Sequence, residues 1–196
     1  MIDLALTDQY EAVDGDILTG MSGLDTSITI APGAAVTLRD VIIVVRGDDC
    51  AGITCKGDAT VILEGSNTIK TLHGEYPAIF PAVGATLFIE GTGSLQVICG
   101  GKGAGIGGGY QKSCGDILLE GSVIISNGGM CAASIGSGFC GQCGAITITD
   151  KVVQVTAVKM ANGEYANDNI GKGTGGTCGP VTIAPDANII EESVAI

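Results

Sequence analysis

Five stretches of this chain can be laid on one another. They are "AGITCKGDATVILEGSNTIKTL" from Ala51, "AIFPAVGATLFIEGTGSLQVIC" from Ala78, "AGIGGGYQKSCGDILLEGSVIIS" from Ala104, "ASIGSGFCGQCGAITITDKVVQVTA" from Ala133 and "NIGKGTGGTCGPVTIAPDANIIE" from Asn169. Each opens on a small residue or Asn and an isoleucine: Ile53, Ile79, Ile106, Ile135 and Ile170. A second apolar pair follows in each, Val61/Leu63, Leu87/Ile89, Ile117/Leu119, Ile146/Ile148 and Val181/Ile183, and then a third short run. The segment 27–45, "SITIAPGAAVTLRDVIIVV", has the same rhythm. The isoleucines recur every 26 to 35 residues, and the excess falls in polar, Gly-rich connections. Runs of three to five residues with period-two alternation, bounded by Gly, Asn, Asp or Ser, read as strands. Strands this short cannot bury a face alone; stacked as successive coils they share one core. The pattern predicts an all-β parallel β-helix, a solenoid of about six three-strand coils. At ~4.8 Å per coil it would be about 29 Å long.

The repeat also settles a tempting motif. "GGKGAGIGGGY" (100–110) holds a G-x-G-x-x-G match at Gly103, Gly105 and Gly108 after the strand-like run 94–98. A dinucleotide site needs those glycines to open a helix whose N-terminus holds the pyrophosphate. The following "YQKSCGDILLEGSVIIS" has no helical apolar spacing, and the lysines of "GGKGAG" and "IGKGTG" are followed by glycine instead of Ser or Thr. "ASIGSG" and "DNIGKG" occupy the same place in later units. The glycines therefore read as a strand and corner of one coil, where the backbone turns and neighbouring coils approach closely.

Composition narrows the function. The net charge is −12, from 9 Lys+Arg against 21 Asp+Glu, which argues against nucleic acid or an anionic membrane as partner. No apolar run approaches eighteen residues, so no membrane-spanning helix is expected. The N-terminal "MIDLALTDQYEAVDGD" lacks a signal peptide's basic and apolar regions. Two explanations stay open: a cytoplasmic protein, or a mature fragment carrying an added start methionine. The fold reading favours the second and an extracellular or cell-surface location.

The recurring A-G-I-G-x-G, then C-G-D/A-I-x-I/L, then a Val- or Ile-rich strand, resembles the secreted and surface β-helix repeat proteins of gut bacteria labelled carbohydrate-binding domain proteins. These are similar in fold to pectate-lyase-like right-handed parallel β-helices. "DGDILTGMSGLDTSITIAPGAAVTLRDVIIVV" also resembles that group's first coils. The resemblance runs from about Tyr10 to Ile190. It implies a right-handed helix and a location outside the cell; it brings no catalytic motif to any residue here, and fold alone does not fix function.

Catalysis finds little support. Lyases on this fold need a calcium-binding carboxylate cluster and a basic catalytic group. The only arginines, Arg39 and Arg46, lie in the first coils, and the only histidine, His73, lies in "LHGEYPA". Aligned second strands place Arg39, Glu64, Glu90, Glu120, Thr149 and Ala184 in one column. Three glutamates about one coil apart are either a solvated edge or a divalent-cation site, with calcium the cofactor such a site would take. Beside it runs an outward column of Thr37, Ile62, Phe88, Leu118, Thr147 and Thr182, whose apolar centre is either an interface or covered by a loop. There is no Trp. Tyr76 and Tyr165 sit in two "GEY" loops and Tyr110 follows the glycine run; with Phe88 these are the candidate ligand contacts, unless each tyrosine only covers a corner of the core.

The eight cysteines align in part. Cys114, Cys143 and Cys178 fall at one position of consecutive coils, and Cys140 completes "CGQC" with Cys143. Three readings stay open: buried thiols acting as small apolar residues, one or two disulfides between stacked neighbours, or a four-thiolate zinc site of Cys114, Cys140, Cys143 and Cys178. Cys50 and Cys131 share a position with two coils between them, too far to bond.

The expected organisation is one domain over 1–196, with a cap and first-coil approach at 1–26, repeat coils at 27–190 and a tail at 191–196. The segment through Leu18 and the acidic "EESVAI" are candidates to cover the end coils. The expected function is non-catalytic binding of a polysaccharide or glycan. The alternative is a structural or adhesive module whose partner is a surface protein or a second copy, and a polysaccharide-cleaving enzyme comes third.

Overall fold

The computed structural model describes residues 1–6, 9–47, 50–161 and 165–195. Among the described residues the regular structure is β-strand, apart from one 3-10 turn, Leu4–Leu6. No helix among them is long and apolar enough to cross a membrane. Gly108 leads into a turn and not a helix, so the phosphate-loop reading of the glycine run has no structural basis here.

Most strands form three ladders, beside a separate two-stranded sheet of Gln142–Cys143 and Thr177–Cys178, and every pairing between named strands is parallel. The first ladder is a seven-stranded sheet built from Gln9–Ala12, Ser27–Ile30, Ile53–Cys55, Ile79–Pro81, Ile106–Gly107, Ile135–Gly136 and Ile170–Gly171. The repeat's isoleucines lie in register along it: Ile28, Ile53, Ile79, Ile106, Ile135 and Ile170 form one buried column. The other two ladders are arms of a thirteen-stranded sheet that share Ala34–Val45. Its first half pairs with Ala59–Glu64, and that arm continues through Thr86–Gly91, Asp116–Leu119, Ile146–Ile148 and Val181–Ile183. Its second half pairs with Ser66–Thr71, followed by Ser94–Cys99, Val123–Asn127, Gln154–Ala161 and Ile189–Ala195. Each repeat thus gives one strand to each ladder, a set we call a rung.

Alternation decides the faces. In Ala59–Glu64 the buried residues are Ala59, Val61 and Leu63, and the residues between them are half-buried. The inward residues of all three ladders belong to one core, including Ile79, Leu87 and Val97 of a single rung. Each such side chain contributes about 1.5–3 kcal/mol by leaving water. At the corner joining the second and third ladders the core holds a polar residue. Asn67 is buried, accepts from the Val41 N–H at 3.0 Å, and donates to the Glu64 and Ser94 carbonyls at 3.0 and 3.2 Å. One side chain thereby ties three successive rungs at a place where the strands turn away from each other.

The strand register corrects two expected columns. Ile53 pairs with Ile79 and Cys55 with Pro81, but Ala59 pairs with Leu87 and Leu63 with Gly91. The connection "AVGAT" (82–86) is two residues longer than "KGD" (56–58), so the following strand slides by two. An even slide keeps every side chain on its own face. Burial therefore matches the alternation, while the outward neighbours change. Glu90 lies beside Ile62 and not beside Glu64, and Phe88 lies between Thr60 and Leu118 and not beside Ile62. The three-glutamate column is broken at its first step, and so is the apolar stripe.

The two ends differ. Ile2–Asp3 pairs with Leu18 and Thr19, and Leu4 is fully buried beside them. At the other end, Val181 and Ile183 are 41% and 39% exposed although they pair with the buried Ile146 and Ile148. The acidic segment expected to cover this end instead runs as the strand Ile189–Ala195, with Glu191 paired to the buried Ala157.

Candidate functional site

Three consecutive units read "IGGGYQKSCG" from Ile106, "IGSGFCGQCG" from Ile135 and "IGKGTGGTCG" from Ile170. The residue after each isoleucine is a glycine at φ +135, +137 and +139 for Gly107, Gly136 and Gly171. These turns start the connections that lie outside the first ladder. Four residues further along, Gln111, Cys140 and Gly175 share a left-handed conformation at φ +54, +54 and +68. The residue just before each is therefore delivered to the same place: Tyr110, Phe139 and Thr174.

The result is an aromatic group that the sequence shows only when all three units are aligned. The Tyr110 and Phe139 rings stack with centroids 5.4 Å apart and planes 23° apart. The Lys102 ammonium sits 4.8 Å from the Tyr110 centroid and 6.0 Å from that of Phe139. One rung earlier, Tyr76 meets Phe80 edge-on at 6.1 Å, and the Lys112 ammonium lies 4.7 Å from the Tyr76 centroid. Lys112 also faces Glu75 at 3.8 Å. Backbone bonds fix these loops to one another. The Tyr110 N–H donates to the Glu75 carbonyl at 2.7 Å, the Phe139 N–H to Lys102 at 3.1 Å, and the Lys102 N–H to Gly74 at 3.0 Å. All four rings are half-buried. They are anchored on one edge and exposed on another, as aromatic binding surfaces are.

Beside this group is an open cavity of about 470 Å³, lined by His73, Gly74, Glu75, Gly100, Gly101, Lys102 and Met130. That size suits a small ligand or a few sugar rings. Its lining carries one carboxylate, Glu75, whereas glycoside hydrolysis ordinarily uses two on either side of the bond. The arrangement offers apolar ring faces, two ammonium donors and one acceptor.

No family model, no curated protein and no solved structure matches this chain.

The structure brings Tyr76 and Tyr110 into this group. Tyr165 lies in the connection that leads to Ile170, and Gly163 and Glu164 of its "GEY" loop lie outside the described residues. Phe88 is on the outward face of the second ladder, half-buried between Thr60 and Leu118. The sequence reading missed Phe80, Phe139, Lys102 and Lys112. The signal that finds Phe139 is its alignment with Tyr110 in the repeat.

The glutamates do not converge on a cation. Glu64 binds Arg39 at 2.6 Å, and Glu120 binds Lys151 at 3.0 Å. Among the described residues no three His, Cys, Asp or Glu side chains group as metal ligands. The four-thiolate set is likewise not assembled: Cys114 and Cys143 are buried, Cys178 is half-buried, and Cys140 is exposed on its left-handed turn. Among the described residues no two cysteines are joined in a disulfide. Burial pushes the Cys55 thiol up to about 12, and it behaves as a core residue between Ile30 and Pro81.

Proposed function

We propose that this chain is a non-catalytic glycan-binding module, and that its three ladders close into a right-handed parallel β-helix displayed at or outside the cell surface. The resemblance of its repeats to surface β-helix proteins supports the location. The observation that carries the function is the grouping of Tyr76, Phe80, Tyr110 and Phe139 with Lys102, Lys112 and Glu75 beside the cavity. A sugar ring has an apolar face that lies against an aromatic plane and hydroxyls that need donors and acceptors at its rim. Here the lysines rest on the tyrosine faces, an attraction of about 0.5–1 kcal/mol at exposed sites. A hydroxyl-bearing ligand gives each ammonium a better acceptor and takes its place on the ring.

A glycan array with the purified chain, with and without calcium, tests this. Saturable binding to one glycan class is expected, weakened at least tenfold by Tyr110→Ala or Tyr76→Ala. Silence across the array would sink the reading. The structural or adhesive alternative has an observation of its own: the exposed Val181 and Ile183 sit on a strand paired on one side only, an edge to which another strand can add.

A further inference from the structure

The stacked cysteines have no part in the glycan site, yet their geometry is specific. Gln142–Cys143 and Thr177–Cys178 form a two-stranded parallel sheet in which Cys143 is paired directly with Cys178. Below them, the Cys114 N–H donates to the Gln142 carbonyl at 2.9 Å. The backbone pairing sets Cys143 between Cys114 and Cys178, near enough for the thiols to raise one another's affinity for the proton. Each thiol otherwise has only a weak carbonyl acceptor, Gly115 at 3.8 Å for Cys143 and Gly144 at 3.5 Å for Cys178. Paired residues of adjacent parallel strands have Cα atoms ~4.8 Å apart. That lies inside the roughly 4.4–6.8 Å range that a disulfide spans.

We infer that Cys143 and Cys178 are a disulfide-forming pair, a modification site that staples the rung of Val181–Ile183 to the one before it. Two facts select this pair over Cys114 and Cys143. A disulfide draws the Cβ atoms to about 3.8 Å, closer than the strand spacing, so one strand must shift. Thr177–Cys178 is hydrogen-bonded within its sheet on one side only and can shift, whereas Cys114 is held between rungs. Cys178 is also the more accessible thiol, half-buried where Cys114 and Cys143 are buried.

With glutathione disulfide as oxidant the chemistry balances. The Cys178 sulfur, its proton lost to solvent, attacks the reagent's disulfide, forming a mixed disulfide and releasing one glutathione thiolate, which takes up a proton. The Cys143 sulfur then attacks the Cys178 sulfur, forming the protein disulfide and releasing the second glutathione. Two protein thiols are oxidised and one glutathione disulfide is reduced. The reaction is slow near neutral pH. Hydrogen bonding to Cys143, burial and the nearby Asp168 carboxylate push the Cys178 thiol up, and contact with Cys114 helps do the same for Cys143.

The chain, purified reduced, is incubated with glutathione disulfide at mildly alkaline pH and its peptides are mapped by mass spectrometry without reduction. The expected product is a linked pair containing Cys143 and Cys178, two hydrogens lighter than its parts and separated by dithiothreitol. A melting temperature raised by about 5–10 °C is expected in the oxidised protein, and none in Cys178→Ser treated alike. A link between Cys114 and Cys143, glutathione on the exposed Cys140 alone, or eight thiols still free would each overturn the assignment.

Discussion

Gly136→Val is expected to prevent the upper rungs from forming. A side chain at Gly136 would place its Cβ 1.9 Å from the Gly171 carbonyl oxygen and 2.8 Å from its carbon. Gly107 is packed in the same way, with its Cβ position 1.9 Å from the Gly136 oxygen. No rotamer relieves a Cβ contact, and the obstacle is backbone held by the ladder, so the rungs would have to separate. The φ of +137 adds a second penalty, since a β-branched residue avoids that region. Separation would also lift Ile135 away from Ile170, which pair in register next to it. The expected loss exceeds about 4 kcal/mol. Thermal unfolding followed by far-ultraviolet circular dichroism should show no cooperative transition, or one far below that of the parent. A melting temperature within a few degrees of the parent would mean that the glycine column is not held this tightly.

Asn67→Ala is the second large effect. Its amide makes three bonds at a buried corner, to the Val41 N–H and the carbonyls of Glu64 and Ser94. Truncation leaves these backbone groups without that partner and opens a void where three rungs meet. A stranded buried polar group costs about 1–3 kcal/mol. Allowing for partial relaxation, the loss should be about 3 kcal/mol, a fall in melting temperature of roughly 6–12 °C for a chain of this size. Asn67→Asp keeps the acceptor for Val41 but aims a carboxylate at two carbonyl oxygens, and should be at least as damaging. A change of less than about 2 °C in Asn67→Ala would remove Asn67 from the account of the corner.

Much of the fold could be read from the chain because its signals repeat. The alternation Val61/Leu63, Leu87/Ile89, Ile117/Leu119 fixed the faces, and the isoleucine column emerged in register. What failed was alignment within a face. "GDATVILEG" and "VGATLFIEG" match best with Val61 on Leu87, yet the longer turn before Leu87 shifts it onto Ala59. A two-residue slide is invisible to a period-two pattern, so inward and outward survived while Glu64 and Ile62 lost their expected neighbours. The candidate site was half legible. Tyr76 and Tyr110 stood out as rare residues in glycine-rich loops, but Lys102, Lys112 and Phe80 belong to other segments. Only the folded loops bring them over the same rings. Asn67 gave no warning either, being one of five polar residues in the strand "SNTIKT".

The most direct test of the proposed site is an amide proton–nitrogen correlation spectrum of the isotope-labelled chain, recorded while the glycan class that binds on the array is added. The account predicts shifts concentrated at Gly74–Tyr76, Gly101–Lys102, Tyr110–Lys112 and Phe139, saturating together. Shifts confined to the outward face of Thr60, Phe88 and Leu118, or a spectrum that does not change, would contradict it.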